Sequence, residues 1–175
     1  MNQMIMALGA ILLLGVTSLG INQILIDRTT TTLEAEASLN AVSIAQVMLD
    51  EIMTKSYDMA TVSGARIYDS TLFTTPDALG PNATEASQVG TLDLVEGSKK
   101  YFNDVDDYNK YQRIASTPIL GKFLVVDTVY YVNELYPDEK SSTQTNFKKI
   151  EVTVRHANMS YPLKISDIAV YRKYF

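Results

Sequence analysis

The chain begins with MNQMIMALGAILLLGVTSLGINQILID, residues 1–27, and its first charged side chain is that of Asp27. From Met4 to Ile26 the residues are uncharged and mostly apolar, and a helix of this length spans the roughly 30 Å hydrocarbon layer of a bilayer. No basic residue precedes the run, whereas a removable secretory signal begins with a basic region. The segment has either lost such a leader or is not a conventional signal, and its length predicts a membrane-spanning helix.

A second helical pattern follows Arg28, and no proline separates it from the first. Apolar residues recur every three or four positions, at Leu33, Ala37, Ala41, Ile44, Met48 and Ile52. Polar residues occupy the opposite face, at Glu34, Glu36, Asn40, Gln46 and Asp50. We therefore predict one helix from residue 1 to about residue 57. Residues 1–28 form an uncovered hydrophobic half, and residues 29–57 form an amphipathic continuation that packs on the rest of the chain.

Residues 58–175, the head domain, show β-type patterns separated by loops rich in turn residues. We predict a short strand within SGARIYDSTLF, residues 63–73, and a central strand with two largely apolar faces at Lys122–Val132. The alternation in residues 147–156 predicts a strand that buries one face, formed by Ile150, Val152 and Val154. A last strand is predicted near Ile168–Tyr174.

The connections between these strands are too short for a crossover helix, so an antiparallel meander is favoured. The predicted fold class is α+β. A long N-terminal helix protrudes with its first half, and its second half lies on a small antiparallel sheet.

Composition excludes several classes of function. A net charge of -5, with no cluster of Lys and Arg, argues against a nucleic-acid partner. The absence of cysteine excludes disulfides, thiolate metal sites and Cys nucleophiles. The single histidine, His156, has no Ser or Asp arrangement near it in sequence that would make it a base. We therefore predict that the protein is not an enzyme.

The densest group of side chains with oxygen ligands consists of Asp104, Asp106, Asp107 and Asn109. These residues predict either a calcium site or a capped turn. Calcium accepts six to eight such oxygens, although the spacing lacks the glycine and the distant glutamate of an EF-hand. The alternative is a turn in which these side chains accept hydrogen bonds from nearby backbone N–H groups, and we favour it. No other cofactor is predicted.

Two tripeptides match the acceptor pattern for N-linked glycosylation. They are Asn82 in NAT and Asn158 in NMS, and both lie where loops are expected. Such matches also arise by chance, which is the interpretation we favour.

The organisation resembles that of the type IV pilin and pseudopilin superfamily. The likeness is carried by the hydrophobic start at residues 1–30, by YFNDVDDYNKY at 101–111, and by the strand patterns that follow to residue 155. It implies a pilin-like fold and a mature chain that starts at Met1 after removal of a leader. One departure is Ile5, where the family usually has a glutamate; a second is the missing C-terminal disulfide.

The resemblance implies a structural subunit of an extracellular filament that polymerises through its hydrophobic helix. Identical subunits would be its partners, together with the pilus or secretion assembly machinery, and the inner membrane would hold the chain before assembly. The helix residues expected in the filament core are Met1, Ile5, Leu8, Leu12, Leu13, Val16, Leu19 and Ile24. A minor pilin, a secretion-type pseudopilin, and a membrane-anchored binding protein or enzyme are the alternatives.

Overall fold

The computed structural model describes residues 2–172 of the chain. Helix α1 is 52 residues long, Asn2–Met53, and two short helices follow, α2 at Ala83–Val89 and α3 at Ser98–Tyr101. The strands are β1 Gln112–Thr117, β2 Gly121–Tyr131, β3 Phe147–Arg155 and β4 Leu163–Val170. Short 3-10 turns lie at Met59–Thr61, Ser70–Leu72, Pro76–Ala78 and Asp106–Tyr108.

The four strands form one antiparallel sheet in the order β1-β2-β3-β4. This is the predicted meander, since each strand pairs with its neighbour in sequence. Helix α1 packs across β3 and β4 at one face of the sheet. The predicted α+β class, with a long helix on a small antiparallel sheet, is confirmed.

The strand pattern explains which face meets the helix. Ile150, Val152 and Val154 of β3 are buried and the residues between them are not, as predicted. On β2 every second residue from Phe123 to Tyr131 is buried, whereas the other face is only partly covered. β2 is a central strand of the sheet, as predicted, and its second face is only partly covered because the helix packs on the other side.

The second half of α1 buries a narrow stripe against this sheet. The fully buried positions are Ala37, Ala41, Ala45, Met48 and Ile52. Ile44 is half-buried and Leu33 is exposed, so the predicted stripe begins one turn later than the sequence suggested. The three alanines carry only a methyl group each, which lets the helix backbone come close to the sheet.

Several predicted boundaries were wrong. The helix ends at Met53 because Ser56 turns to pair with the segment around Asp104. Residues 63–73 form no strand; Asp69 instead caps a 3-10 turn by accepting a hydrogen bond from Thr71 N–H. The last strand begins at Leu163 and ends at Val170, because it pairs with β3 over its full length. The strand was predicted near residues 168–174, and of these, residues 173–174 lie outside the described residues.

Candidate functional site

The first half of α1 is the largest uncovered surface of the described chain. Residues 3–33 are all exposed. The side chains predicted for a filament core are each 55–72 % exposed, namely Ile5, Leu8, Leu12, Leu13, Val16, Leu19 and Ile24. Met1 lies outside the described residues. We call residues 3–33 the bare helix.

The bare helix has the chemistry of a segment made for an apolar environment. Its first charged residue is Asp27, and the Thr17 hydroxyl donates to the Leu13 carbonyl oxygen at 3.0 Å, so this polar group is satisfied within the helix. By length and composition, α1 is able to cross a membrane, and none of its most apolar stretch is buried inside the chain. Lipid, or other copies of the same helix, are the environments that match it.

The aspartates at 104–107 cap a turn. Asp104 Oδ1 accepts from the N–H groups of Asp106 and Asp107, at 2.8 and 3.3 Å, and Asp107 Oδ2 accepts from Asn103 and Asp104, at 2.8 and 3.2 Å. Asn109 lies apart from this network. Its side chain donates to the Leu79 carbonyl oxygen and accepts from Val129 N–H.

These contacts agree with the capping interpretation of the cluster. In residues 2–172 no group of three or more acidic or histidine side chains is placed to hold a metal ion. The calcium site stays a prediction without geometric support in the described chain.

Burial makes these carboxyls weak acids. The pKa values of Asp104, Asp106 and Asp107 are each raised to about 7, first of all by burial. The charge of Asp107 also raises the pKa of Asp104, and Glu85 raises that of Asp107. Part of this segment is therefore protonated near neutral pH.

Lys148 is a buried lysine that sequence reasoning missed. Its Nζ donates to the Tyr57 carbonyl oxygen at 2.8 Å and to Asp58 Oδ2 at 2.9 Å, and lies 2.5 Å from Asp106 Oδ1. The signal was present, because Lys148 is in phase with the buried residues Ile150 and Val152 on an alternating strand.

Two further buried charged groups were also missed. Glu51 of α1 and Arg113 of β1 form an ion pair at 2.8 Å with almost no exposed side-chain surface. Asp127 lies on the buried face of β2, and neither of its carboxylate oxygens has a hydrogen-bond partner in the described chain. Burial raises the pKa of Asp127 well above its ordinary value, which favours the neutral form of this carboxyl.

The two predicted glycosylation asparagines are both exposed. Asn82 is the N-cap of α2, where its Oδ1 accepts from Thr84 and Glu85 N–H. Asn158 lies in the turn after β3. Exposure permits modification at both positions, and glycosylation there stays a prediction.

His156 is a packing residue in this structure. Its ring stacks on Phe123 with the centroids 4.2 Å apart, and its Nε2 lies 2.8 Å from the Leu120 carbonyl oxygen. These neighbours give the imidazole a structural role at the end of β3.

Comparison with protein-family models, curated proteins and solved structures found no match to this chain. Similarity therefore establishes no family. Two features remain from which a role can be inferred: the bare helix, which has no partner within the described chain, and the buried charges of the head domain.

Proposed function

We propose that the protein is a structural subunit of an extracellular, type IV pilus-like filament. In this assembly the bare helices of many copies pack together as a continuous apolar core, and the head domains form the outer shell. The single observation that carries the proposal is the exposure of a half-helix whose residues 3–26 are uncharged and mostly apolar, on an otherwise folded domain.

The size of the uncovered surface supports self-assembly. Fourteen large apolar side chains between Met4 and Ile26 are exposed. Burying one such side chain contributes about 1.5–3 kcal/mol, so their joint burial favours association by tens of kcal/mol before the entropy of association is subtracted. A free monomer in water is strongly disfavoured on these figures.

The same surface supports storage in the inner membrane before assembly. Lipid tails and neighbouring helices are equally apolar, so moving the bare helix from one to the other changes its free energy little. An ATP-driven assembly machinery would drive the transfer of subunits from the membrane into the filament. The partners in this proposal are identical subunits, that machinery and the membrane, and no nucleic acid.

The junction between the two halves of α1 also suits a continuous rod. Thr29, Thr30, Thr31 and Thr32 are β-branched and individually unfavourable in a helix. Each of their hydroxyls donates to a backbone carbonyl oxygen three or four residues earlier. The helix therefore continues without a break into the part that packs on the sheet.

The test is electron microscopy of immunogold-labelled material sheared from cells that produce the chain. Long labelled fibres outside the cell support the proposal. Label confined to short assemblies at the envelope indicates a pseudopilin, and label on dispersed membrane particles indicates an anchored binding protein or enzyme. Either of the latter two results overturns the proposal of an extracellular filament.

A further inference from the structure

The amine of Lys148 is buried among aromatic rings together with two carboxyl groups. The side chains of Lys148, Asp58 and Asp106 are 0, 1 and 3 % exposed. The rings of Tyr57, Tyr131 and Phe73 surround Nζ, with centroids 4.3, 5.1 and 5.9 Å away. A nucleophile and two carboxyls are thus held in contact where bulk water does not reach.

The two carboxyls meet the amine in different ways. Asp58 Oδ2 accepts a hydrogen bond from Nζ at 2.9 Å. Asp106 Oδ1 lies closer, at 2.5 Å, yet neither oxygen of Asp106 has a hydrogen-bond partner in the described chain. The 2.5 Å contact between Nζ and Oδ1 is therefore a close ion-pair contact whose angles fall outside those of a regular hydrogen bond.

We infer that Lys148 and Asp106 are the reacting pair of an autocatalytic cross-link, an amide between Lys148 Nζ and Asp106 Cγ, and that Asp58 is its base. The inference uses only the head domain and does not depend on filament formation.

The surroundings divide the roles between the two carboxyls. Burial raises the pKa of Asp106 to about 7 although the charge of Lys148 opposes this, so a share of Asp106 is a neutral carboxylic acid near neutral pH. Burial also opposes ionisation of Asp58, but the charge of Lys148 and hydrogen bonds from Lys148, Ala60 and Thr74 outweigh it and lower its pKa. A neutral acid is an acyl acceptor, and a neighbouring carboxylate is a base.

The step balances without any co-reactant. Asp58 takes one proton from the ammonium of Lys148, and the free amine attacks Asp106 Cγ. The new C–N bond forms, the bond from Cγ to the hydroxyl oxygen breaks, and a second proton from the nitrogen leaves with that hydroxyl as water. The products are an amide, one water molecule and a neutral Asp58. Fixed proximity makes such a condensation effectively unimolecular.

Two other ion pairs, both within residues 2–172, each lack one of these conditions. The pair of Arg113 and Glu51 is buried, but a guanidinium that stays protonated is not a nucleophile. The pair of Lys149 and Asp138 has an amine, but Asp138 is 96 % exposed and hydrated. Lys149 therefore provides a control beside the reactive position.

The experiment is peptide mapping of the full chain, purified in mild detergent and shown to be folded by a cooperative thermal transition. We expect a branched peptide that joins the segment containing Asp106 to the one containing Lys148. The intact mass is expected to be one water molecule lower than the mass calculated from the sequence. The Lys148→Arg chain, prepared in the same way, is the reference that shows any mass change with another cause, such as removal of terminal residues. Ordinary linear peptides from the folded wild-type chain overturn the inference, and this readout needs no variant to fold.

Variants test the individual roles. Asp106→Asn should form the same amide and lose ammonia instead of water, because the leaving group has changed. Asp58→Asn keeps the size and an acceptor oxygen but removes the base, so its cross-linked fraction should fall at least about tenfold. Lys149→Arg should leave the cross-link unchanged. Full cross-linking in Asp58→Asn contradicts the role of Asp58, and a retained mass loss in Lys148→Arg contradicts the assigned pair.

Discussion

The guanidinium of Arg113 lies 2.8 Å from the carboxylate of Glu51, which ties strand β1 to the last turns of helix α1. The other Glu51 oxygen accepts hydrogen bonds from Ser98 Oγ at 2.7 Å and from the Tyr108 hydroxyl at 3.0 Å. One buried carboxylate thus joins the helix, α3, the turn at Asp106–Tyr108 and the edge of the sheet. This junction holds the C-terminal end of α1 on the head domain, next to the buried stripe that packs on the sheet.

Glu51→Ala is expected to destabilise the head domain by about 3–5 kcal/mol, because it leaves Arg113 buried without its partner. The measurement is thermal unfolding of the full chain in mild detergent, followed by circular dichroism. Asp50→Ala is the matched control, since Asp50 is the neighbouring acidic residue and is exposed. Equal effects of the two substitutions would show that the buried pair does not hold the helix.

Ala41→Leu tests the close packing between α1 and the sheet. Ala41 has no exposed surface, so the larger side chain must push the helix away, and we expect a loss of about 1–3 kcal/mol. Ala35→Leu places the same side chain on an exposed position of the same helix and should change the unfolding temperature little. Tolerance of leucine at both positions would contradict the packing described here.

The stability of the head domain should fall as the pH rises from 5 to 8. The pKa values of Asp104 and Asp107 are raised from an ordinary 3.8 to about 7, so between these values the folded state holds protons that the unfolded chain has released. Their contribution to stability is complete at a pH below the pKa that these aspartates have in the unfolded chain. It is lost as the pH rises through their folded-state pKa of about 7. Asp93 has a lowered pKa, so its contribution to stability is lost only at more acidic pH.

This pH dependence is measured as the unfolding temperature at pH 5 and at pH 8, and we expect a decrease of at least about 3 °C. Asp104→Asn keeps an oxygen that accepts from Asp106 and Asp107 N–H but does not ionise, so the decrease should become smaller. An unfolding temperature that rises over this interval would show that the buried carboxyls do not govern the response.

Leu13→Lys tests the proposed filament core directly. A charge in the middle of the bare helix is incompatible with an apolar bundle, whereas the head domain does not contact this position. We expect a head domain with unchanged unfolding temperature and at least about a tenfold loss of fibres in electron micrographs. Gln46→Lys adds the same charge at an exposed polar position and should retain fibres. Unchanged fibre numbers in Leu13→Lys would contradict the bundled core.

The periodic features of this fold were predictable because each depends on residues close in sequence. Uncharged apolar residues over a full membrane thickness predicted the first half of α1, and spacings of three and four predicted the second half. Alternation predicted β3, since β-branched residues at every second position suit a strand with one buried face. The resemblance to type IV pilins, the calcium site and the glycosylation sites stay predictions.

The features that sequence patterns missed depend on contacts between distant segments. Strand β1 carries mixed polar residues, and it is a strand because it pairs with β2. The partners of Lys148 come from residues 58 and 106, and Glu51 meets Arg113 across 62 positions of sequence. No local pattern brings such residues together.

The sequence by itself determined that this chain has a long helix with an apolar first half, and that the segments of β2 and β3 form strands. It did so because helix and strand periods are set by the backbone of neighbouring residues. Only the tertiary structure decided which charges are buried and which carboxyl faces which amine. The physical reason is that ionisation and reactivity depend on water exclusion and on distances of a few ångströms, which arise only when the sheet, the turns and the helix close on one another.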